Sequence, residues 1–220
     1  MNLELKKRII TSFFLLLLLN LMFFYTFILI ISLIVISIIS WIEFYGLICK
    51  ILRKNDIKDR ILRFLYRAVS LLFLVSLVLL ILITKSKNNQ LEIFIIYSIS
   101  ISVMSDVGGF IVGKIFKGKK LTKISPNKTL SGSIGAFIFS LLLIPVFSGF
   151  ITGYSFLTLS LITLIISLTS QSGDLLISSL KRKAKVKNTS DLLPGHGGVL
   201  DRIDGIIFAI PVGFLILNYF

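Results

Sequence analysis

The sequence is poor in cysteine, histidine and negative charge: its 220 residues hold one Cys, one His and ten acids. The lone Cys49 excludes an intrachain disulfide and a cysteine-based metal site. Charged residues make up only 15% of the chain and apolar residues 55%, with a mean hydropathy of +0.98. A soluble globule of that composition lacks the polar surface to cover itself. Also absent are an internal repeat, a low-complexity linker and a stretch polar enough for a soluble domain. The N-terminus has the basic and apolar parts of a signal peptide in Lys6, Lys7, Arg8 and the run from Ile9, but no small-residue cleavage site. It reads as a retained first helix.

What is present is a series of apolar runs long enough to cross a bilayer, each needing roughly 20 residues as a helix. They predict an all-α fold: a polytopic integral membrane helical bundle of about 7 transmembrane helices (range 6–8). The expected spans are 9–22, 23–48, 68–84, 91–113, 131–147, 152–176 and 203–219, with a tight turn near Asn20. The net charge of +14 does not call for nucleic acid, because the basic residues sit in loops between apolar runs. With a cytoplasmic N-terminus, 22 of the 24 Lys and Arg residues fall inside and only Lys85 and Lys87 outside. That is the split expected from the positive-inside rule. The chain is thus read as a single membrane domain, 1–220, with N-terminal helices in 1–90. The chemistry is expected in 91–220, which carries two motif loops, 114–131 and 173–205.

Residues 173–205 hold four of the ten acids, Asp174, Asp191, Asp201 and Asp204, together with six basic residues and the run Pro194-Gly195-His196-Gly197-Gly198. If Asp201 opens the helix of the last span, Asp201 and Asp204 share one face, being three apart. Asp174 ends the preceding span, and neighbouring helix ends can bring it beside them. Three facing carboxylates repel unless a cation lies between them, and hard oxygen ligands suit Mg²⁺, completed by water and substrate phosphates. Lys181, Arg182, Lys183, Lys185 and Lys187 supply charge for phosphate oxygens, and the Gly-rich turn lets backbone N–H groups approach an anion. A plain topology signal or a salt-bridged surface face are the blander readings of the same charges.

Two further acids lie in apolar runs. Glu43, within Trp41-Ile42-Glu43-Phe44-Tyr45, suits either an interfacial position among aromatic anchors or the bundle interior. Asp106, followed by Gly108, Gly109 and Gly113, is expected to face a polar cavity shared with Asp174, the alternative being a structural pairing with a loop lysine. In the first motif loop, Ser125, Lys128 and Thr129 surround Pro126 and offer hydroxyl and ammonium donors to phosphate.

Gly173-Asp174, Ser178 or Ser179, Lys181-Arg182, Lys187, Pro194-Gly195-His196-Gly197-Gly198 and Asp201-Arg202-Ile203-Asp204 together resemble the signature of the phosphatidate cytidylyltransferases, the CDP-diacylglycerol synthases. Ser125-Pro126-Asn127-Lys128-Thr129 resembles that family's second motif. The resemblance implies transfer of CMP from CTP to phosphatidic acid, giving CDP-diacylglycerol and pyrophosphate. It implies a multi-pass protein of the cell's inner (plasma) membrane with a cytoplasmic active site, a homodimer being left open.

In that scheme Asp174, Asp201 and Asp204 hold Mg²⁺, a second cation being left open. Lys181 and Arg182 act at the phosphates, Arg202 either stabilises the transition state or orients a neighbouring carboxylate, and Ser125, Lys128, Thr129, Lys187, Gly195, His196, Gly197, Gly198 and Asp106 bind substrate, His196 either donating to phosphate or shaping the turn. Three positions depart from the family pattern: Ser131 and Asn188 replace acids, and Gly205 replaces Ser. The rival readings are a CTP-dependent lipid kinase of the polyprenol or phytol type, which needs a base for a hydroxyl, and a transporter, which repeated halves would favour.

Overall fold

The computed structural model describes residues 3–52, 56–87, 89–122, 125 and 128–219. Lys123, Pro126 and Asn127 of the first motif loop lie outside the described residues. Those described form nine helices and no strand: α1 Leu3–Phe24, α2 Thr26–Ile51, α3 Ile57–Lys87, α4 Asn89–Phe116, α5 Leu130–Leu141, α6 Ile144–Phe147, α7 Phe156–Lys183, α8 Leu200–Ile203 and α9 Ile206–Tyr219. Five stretches are long and apolar enough to cross a membrane: α2, most of α3, most of α4, α5 with α6, and α7. The apolar α1 and α9 are shorter. Large side chains such as Phe27, Phe64, Leu72 and Leu157 stand exposed, an arrangement that only a lipid solvent tolerates on this scale. The protein is a helical, multi-pass membrane protein.

The helix break expected at Asn20 lies instead at Tyr25, whose backbone is extended (φ −118, ψ 105) between α1 and α2. An exposed Asn costs a helix well under 1 kcal/mol, too little to end one. Two helices overrun their apolar cores. α3 starts at Ile57, where Ile57, Ile61, Leu62 and Leu65 alternate with basic residues, and α7 continues through Lys181–Lys183.

The chain divides into two compact units. The first comprises Met1–Leu79 and Leu180–Ile203. In it the Arg67 guanidinium lies over the rings of Trp41 (5.0 Å) and Tyr45 (5.2 Å), while Trp41 Nε1 donates to the Arg67 carbonyl at 3.1 Å, fixing α3 on α2. The end of α7 is closed by a Schellman arrangement: Val186 N donates to the Lys181 carbonyl (3.0 Å) and Lys185 N to that of Arg182 (3.0 Å). Lys185 stands at the left-handed position of that motif, φ +57.

The second unit comprises Leu80–Ser179 and Asp204–Phe220. Its apolar core gathers Phe94, Tyr97, Ile101, Ile144, Leu159 and Ile166. Beside it runs a buried hydroxyl seam: Tyr97–Thr163 (2.6 Å), Ser102–Ser170 (2.7 Å), Ser140–Ser167 (3.1 Å) and Ser167–Ser105 (3.1 Å). Hydroxyls bonded across helices satisfy themselves where lipid offers no partner. α4 and α5 approach closely, because a Cβ on Gly108 would stand 2.5 Å from the Gly135 carbonyl and one on Gly132 2.8 Å from that of Gly109. This contact brings the end of α4 and the start of α5 together around a cavity.

Candidate active site

That cavity, of about 280 Å³, is lined in the second unit by Ser105, Asp106, Lys128, Thr129, Gln171 and Asp174, among others. Two carboxylates and an ammonium therefore line one space, with Asp106 and Asp174 both at its wall. The Lys128 ammonium pairs with Asp174 Oδ2, and Ser178 donates to Asp174 Oδ1 at 3.2 Å. Thr129 caps α5: its Oγ1 accepts from Gly132 N at 3.1 Å and bonds with Ser131 Oγ at 3.0 Å. Ser131 also donates to the Lys117 carbonyl (3.3 Å), so this departure from the family's acid is absorbed by local loop bonding. Ser125 accepts from Lys128 N at 3.1 Å through its carbonyl, shaping the loop that presents Lys128.

Asp204 is buried in the same unit and accepts from Gly205 N at 3.0 Å. The helix imagined as carrying both Asp201 and Asp204 does not form: α8 ends at Ile203, and Asp204-Gly205 make a turn before α9. A Cβ on Gly173 would stand 2.9 Å from the Asp204 carbonyl, so the backbone next to Asp174 rests against that turn. At Gly205 a Cβ would meet Ser170 Oγ at 2.5 Å and Ser102 Oγ at 3.1 Å. The Ser102–Ser170 pair thus fills the room that the family's Ser side chain would occupy.

The rest of the signature folds within the first unit. Leu193–Gly197 is a tight turn with Pro194 and the positive-φ Gly195 (+76) at its centre, and His196 N and Gly197 N both donate to the Leu193 carbonyl (2.9 and 3.1 Å). Gly197, φ +87, is the second residue here that needs the left-handed region. Arg202 closes the loop, its Nε (3.0 Å) and Nη2 both donating to the His196 carbonyl. α1 lies against it as well: Thr11 donates to the Pro194 carbonyl at 3.0 Å, and Ser12 Oγ is 3.3 Å from His196 Nε2.

Two carboxylates sit behind this loop. Asp201 Oδ1 accepts from Lys181 Nζ at 2.7 Å, and Oδ2 accepts from Thr189 N (2.8 Å), Thr189 Oγ1 (3.0 Å) and Gly198 N (3.0 Å). Burial opposes its charge, but the Lys181 hydrogen bond, the two backbone N–H groups and the Lys181 charge outweigh it. The carboxyl is held below the usual carboxylate value.

Glu43, on α2, accepts from Thr189 Oγ1 (2.8 Å), Ser190 Oγ (2.5 Å), Val199 N (3.1 Å) and Leu200 N (2.8 Å). Of the two positions left open for Glu43, the interior one is realised. The sequence held one signal for it: an acid lodged in a long apolar run has to find partners. Thr189 and Ser190 carried none.

The N–H groups of the Gly-rich turn do approach anions, but those of Gly198, Val199 and Leu200 serve Asp201 and Glu43 of the chain itself. Lys187 and Arg182 are exposed, and Arg182 Nη1 donates to the Val186 carbonyl at 3.3 Å. The expected ligands are thus distributed, Asp201 in the first unit and Asp174 and Asp204 in the second. Within either unit, among the described residues, no three acidic, Cys or His side chains form a metal-holding group.

The Cytidylyltransferase family profile matches residues 4–220. A phosphatidate cytidylyltransferase of Rickettsia prowazekii is 42% identical over 149 residues, covering 64% of this chain and 64% of the relative. One from Bacillus subtilis is 39% identical over 129 residues, covering 58% of this chain and 48% of the relative. The matched stretch thus spans about half to two thirds of the relatives' own length. A profile that runs almost end to end, on a chain whose signature loop and cavity are both built from the motif residues, places it: the chain belongs to the cytidylyltransferase family.

Proposed function

We propose that this protein is a membrane nucleotidyltransferase that moves CMP from CTP to phosphatidic acid, releasing pyrophosphate and leaving CDP-diacylglycerol in the bilayer. The observation that carries the reading is the match to phosphatidate cytidylyltransferases, joined to a cavity among membrane helices lined by Lys128, Asp106 and Asp174. A phosphate oxygen of the lipid bonds to the α-phosphorus of CTP, and the bond from that phosphorus to the bridging oxygen of the β-phosphate breaks. The nucleophile is already ionised near neutral pH, so the residues have only to position the two phosphates and offset their charge. Lys128, at the cavity wall, and the exposed Arg182 and Lys187 supply that positive charge.

Asp174, Asp201 and Asp204 remain the proposed ligands of Mg²⁺. All three are hard oxygen donors of the kind Mg²⁺ takes, and Asp201 would have to give up Lys181 on Oδ1 or a donor on Oδ2 to bind it. When bound, such a cation neutralises phosphate charge in the transition state. The count of basic residues in each loop supports a cytoplasmic position for the motif loops at the inner membrane, on the side where nucleotide is found.

The test uses purified protein, phosphatidic acid vesicles, Mg²⁺ and CTP labelled separately in its α- and γ-phosphates. Label from the α-position in the lipid, with γ-label only in pyrophosphate, is the expected result. γ-Label in a lipid would establish the kinase, and no transfer of either would overturn the proposal.

A further inference from the structure

We infer that Glu43 is the positioning residue of the signature loop: a buried carboxylate on α2 that holds residues 189–200 in their working shape. This inference rests on the proposed reaction for its effect on rate. Ser40, Glu43 and Leu47 share one face of α2 and are all buried, Glu43 to 7% exposure, so this face is covered in the C-terminal half of the helix. A carboxylate has about four acceptor sites, and Glu43 draws donors from both ends of the loop: Ser190 and a share of the single Thr189 O–H at its start, and the N–H groups of Val199 and Leu200 at its end. Those last two belong to the opening of α8, which carries Asp201 and Arg202.

Glu43 thus ties the two ends of the loop to one point, 146 to 157 residues away in the chain. Thr189 Oγ1 lies between the two carboxylates, 2.8 Å from Glu43 and 3.0 Å from Asp201, linking the anchor to the signature acid.

A second observation is independent of these bonds. A Cβ on Gly198 would overlap Thr189 Oγ1 and stand 2.6 and 2.8 Å from the two Glu43 oxygens. The backbone at Gly198 therefore approaches the carboxylate as closely as only glycine allows. The second Gly of the Gly-Gly pair answers to Glu43 rather than to a turn.

The experiment compares wild type, Glu43→Gln, Thr189→Val and Thr189→Ser in lipid nanodiscs, by CTP and phosphatidic acid kinetics and by hydrogen exchange of peptides covering 189–203. Gln keeps the shape but turns NH₂ toward donors. Both Glu43→Gln and Thr189→Val are expected to lower kcat by about tenfold or more with the KM for CTP within about threefold, since the loop is misplaced rather than removed. Thr189→Ser, which keeps the hydroxyl, restores kcat. In Glu43→Gln the 189–203 peptides exchange faster, while peptides of α4 and α5 are unchanged. Wild-type kcat or wild-type exchange in Glu43→Gln overturns the inference, as does uniform acceleration of exchange through every helix. A wild type without turnover overturns the proposed reaction, and exchange then still decides the anchoring.

Discussion

Removing the ammonium of Lys181 should cost stability by an amount the structure bounds. Lys181 and Asp201 are 12% and 6% exposed at the side chain and meet at 2.7 Å. Breaking a buried pair by deleting one partner usually costs about 3–5 kcal/mol, because the other charge is left alone. Here Asp201 keeps Thr189 N and Gly198 N on Oδ2, with a share of the Thr189 O–H, so what is lost is one charge-assisted hydrogen bond, about 1.5–3 kcal/mol. Lys181→Met preserves most of the stem volume, and we expect a loss of about 2–3 kcal/mol.

Asp201→Asn should be worse, about 3–5 kcal/mol: whichever way the amide sits, its NH₂ faces either Lys181 or the three Oδ2 donors. In the double variant the NH₂ meets a methyl thioether instead of an ammonium, so the costs should fall short of their sum by about 1 kcal/mol or more. Unfolding in mixed micelles, followed by the fluorescence of the sole tryptophan, Trp41, in the same unit, measures all three. A loss below about 0.5 kcal/mol in Lys181→Met, or strict additivity in the double variant, would refute the reasoning.

Two other outcomes follow from the same loop and from the helix before it. Asp201 has a lowered pKa, so its contribution is fully present above the unfolded carboxylate value of about 3.9 and is lost as pH falls through the lower folded value. Wild-type stability should drop more steeply than that of Asp201→Asn in acid below about pH 4, and parallel curves would contradict it. Lys185 holds φ +57 without being glycine, so Lys185→Gly should raise the unfolding midpoint by the equivalent of about 0.5–1 kcal/mol while Lys185→Ala should not; equal shifts would remove the backbone explanation.

The apolar runs made the helices legible, because bilayer length and hydropathy act locally along the chain. Boundaries were less so. The basic residues of 57–67 read as loop, yet the apolar side chains between them recur at helical spacing and α3 starts there; Lys181–Lys183 read as loop, yet they complete α7. At the site, the residue types were readable and their partners were not. Lys128 and Lys181 were assigned to phosphate because a lysine announces its charge but not the anion that it faces. In the structure each faces a carboxylate, Asp174 and Asp201. Arg202 announced an anion too, and its guanidinium is directed at a carbonyl of the loop that precedes it.

The Gly-rich run is where sequence and structure differ most instructively. Closely spaced glycines before a helix suggest backbone N–H groups turned toward a bound phosphate. Here those of Thr189, Gly198, Val199 and Leu200 point inward at two side-chain carboxylates, and those of His196 and Gly197 at the Leu193 carbonyl. An N–H already bonded to a buried carboxylate cannot also serve a substrate phosphate without leaving that charge short of donors. The loop is therefore an anion-binding turn whose anions belong to the protein, with Gly195 and Gly197 for its bends and Gly198 for its approach to Glu43. In the proposed reaction phosphate is therefore left to exposed side chains such as Lys187 and Arg182. Glu43, an acid within an apolar helix, thus belongs to the same device as the signature 146 residues later.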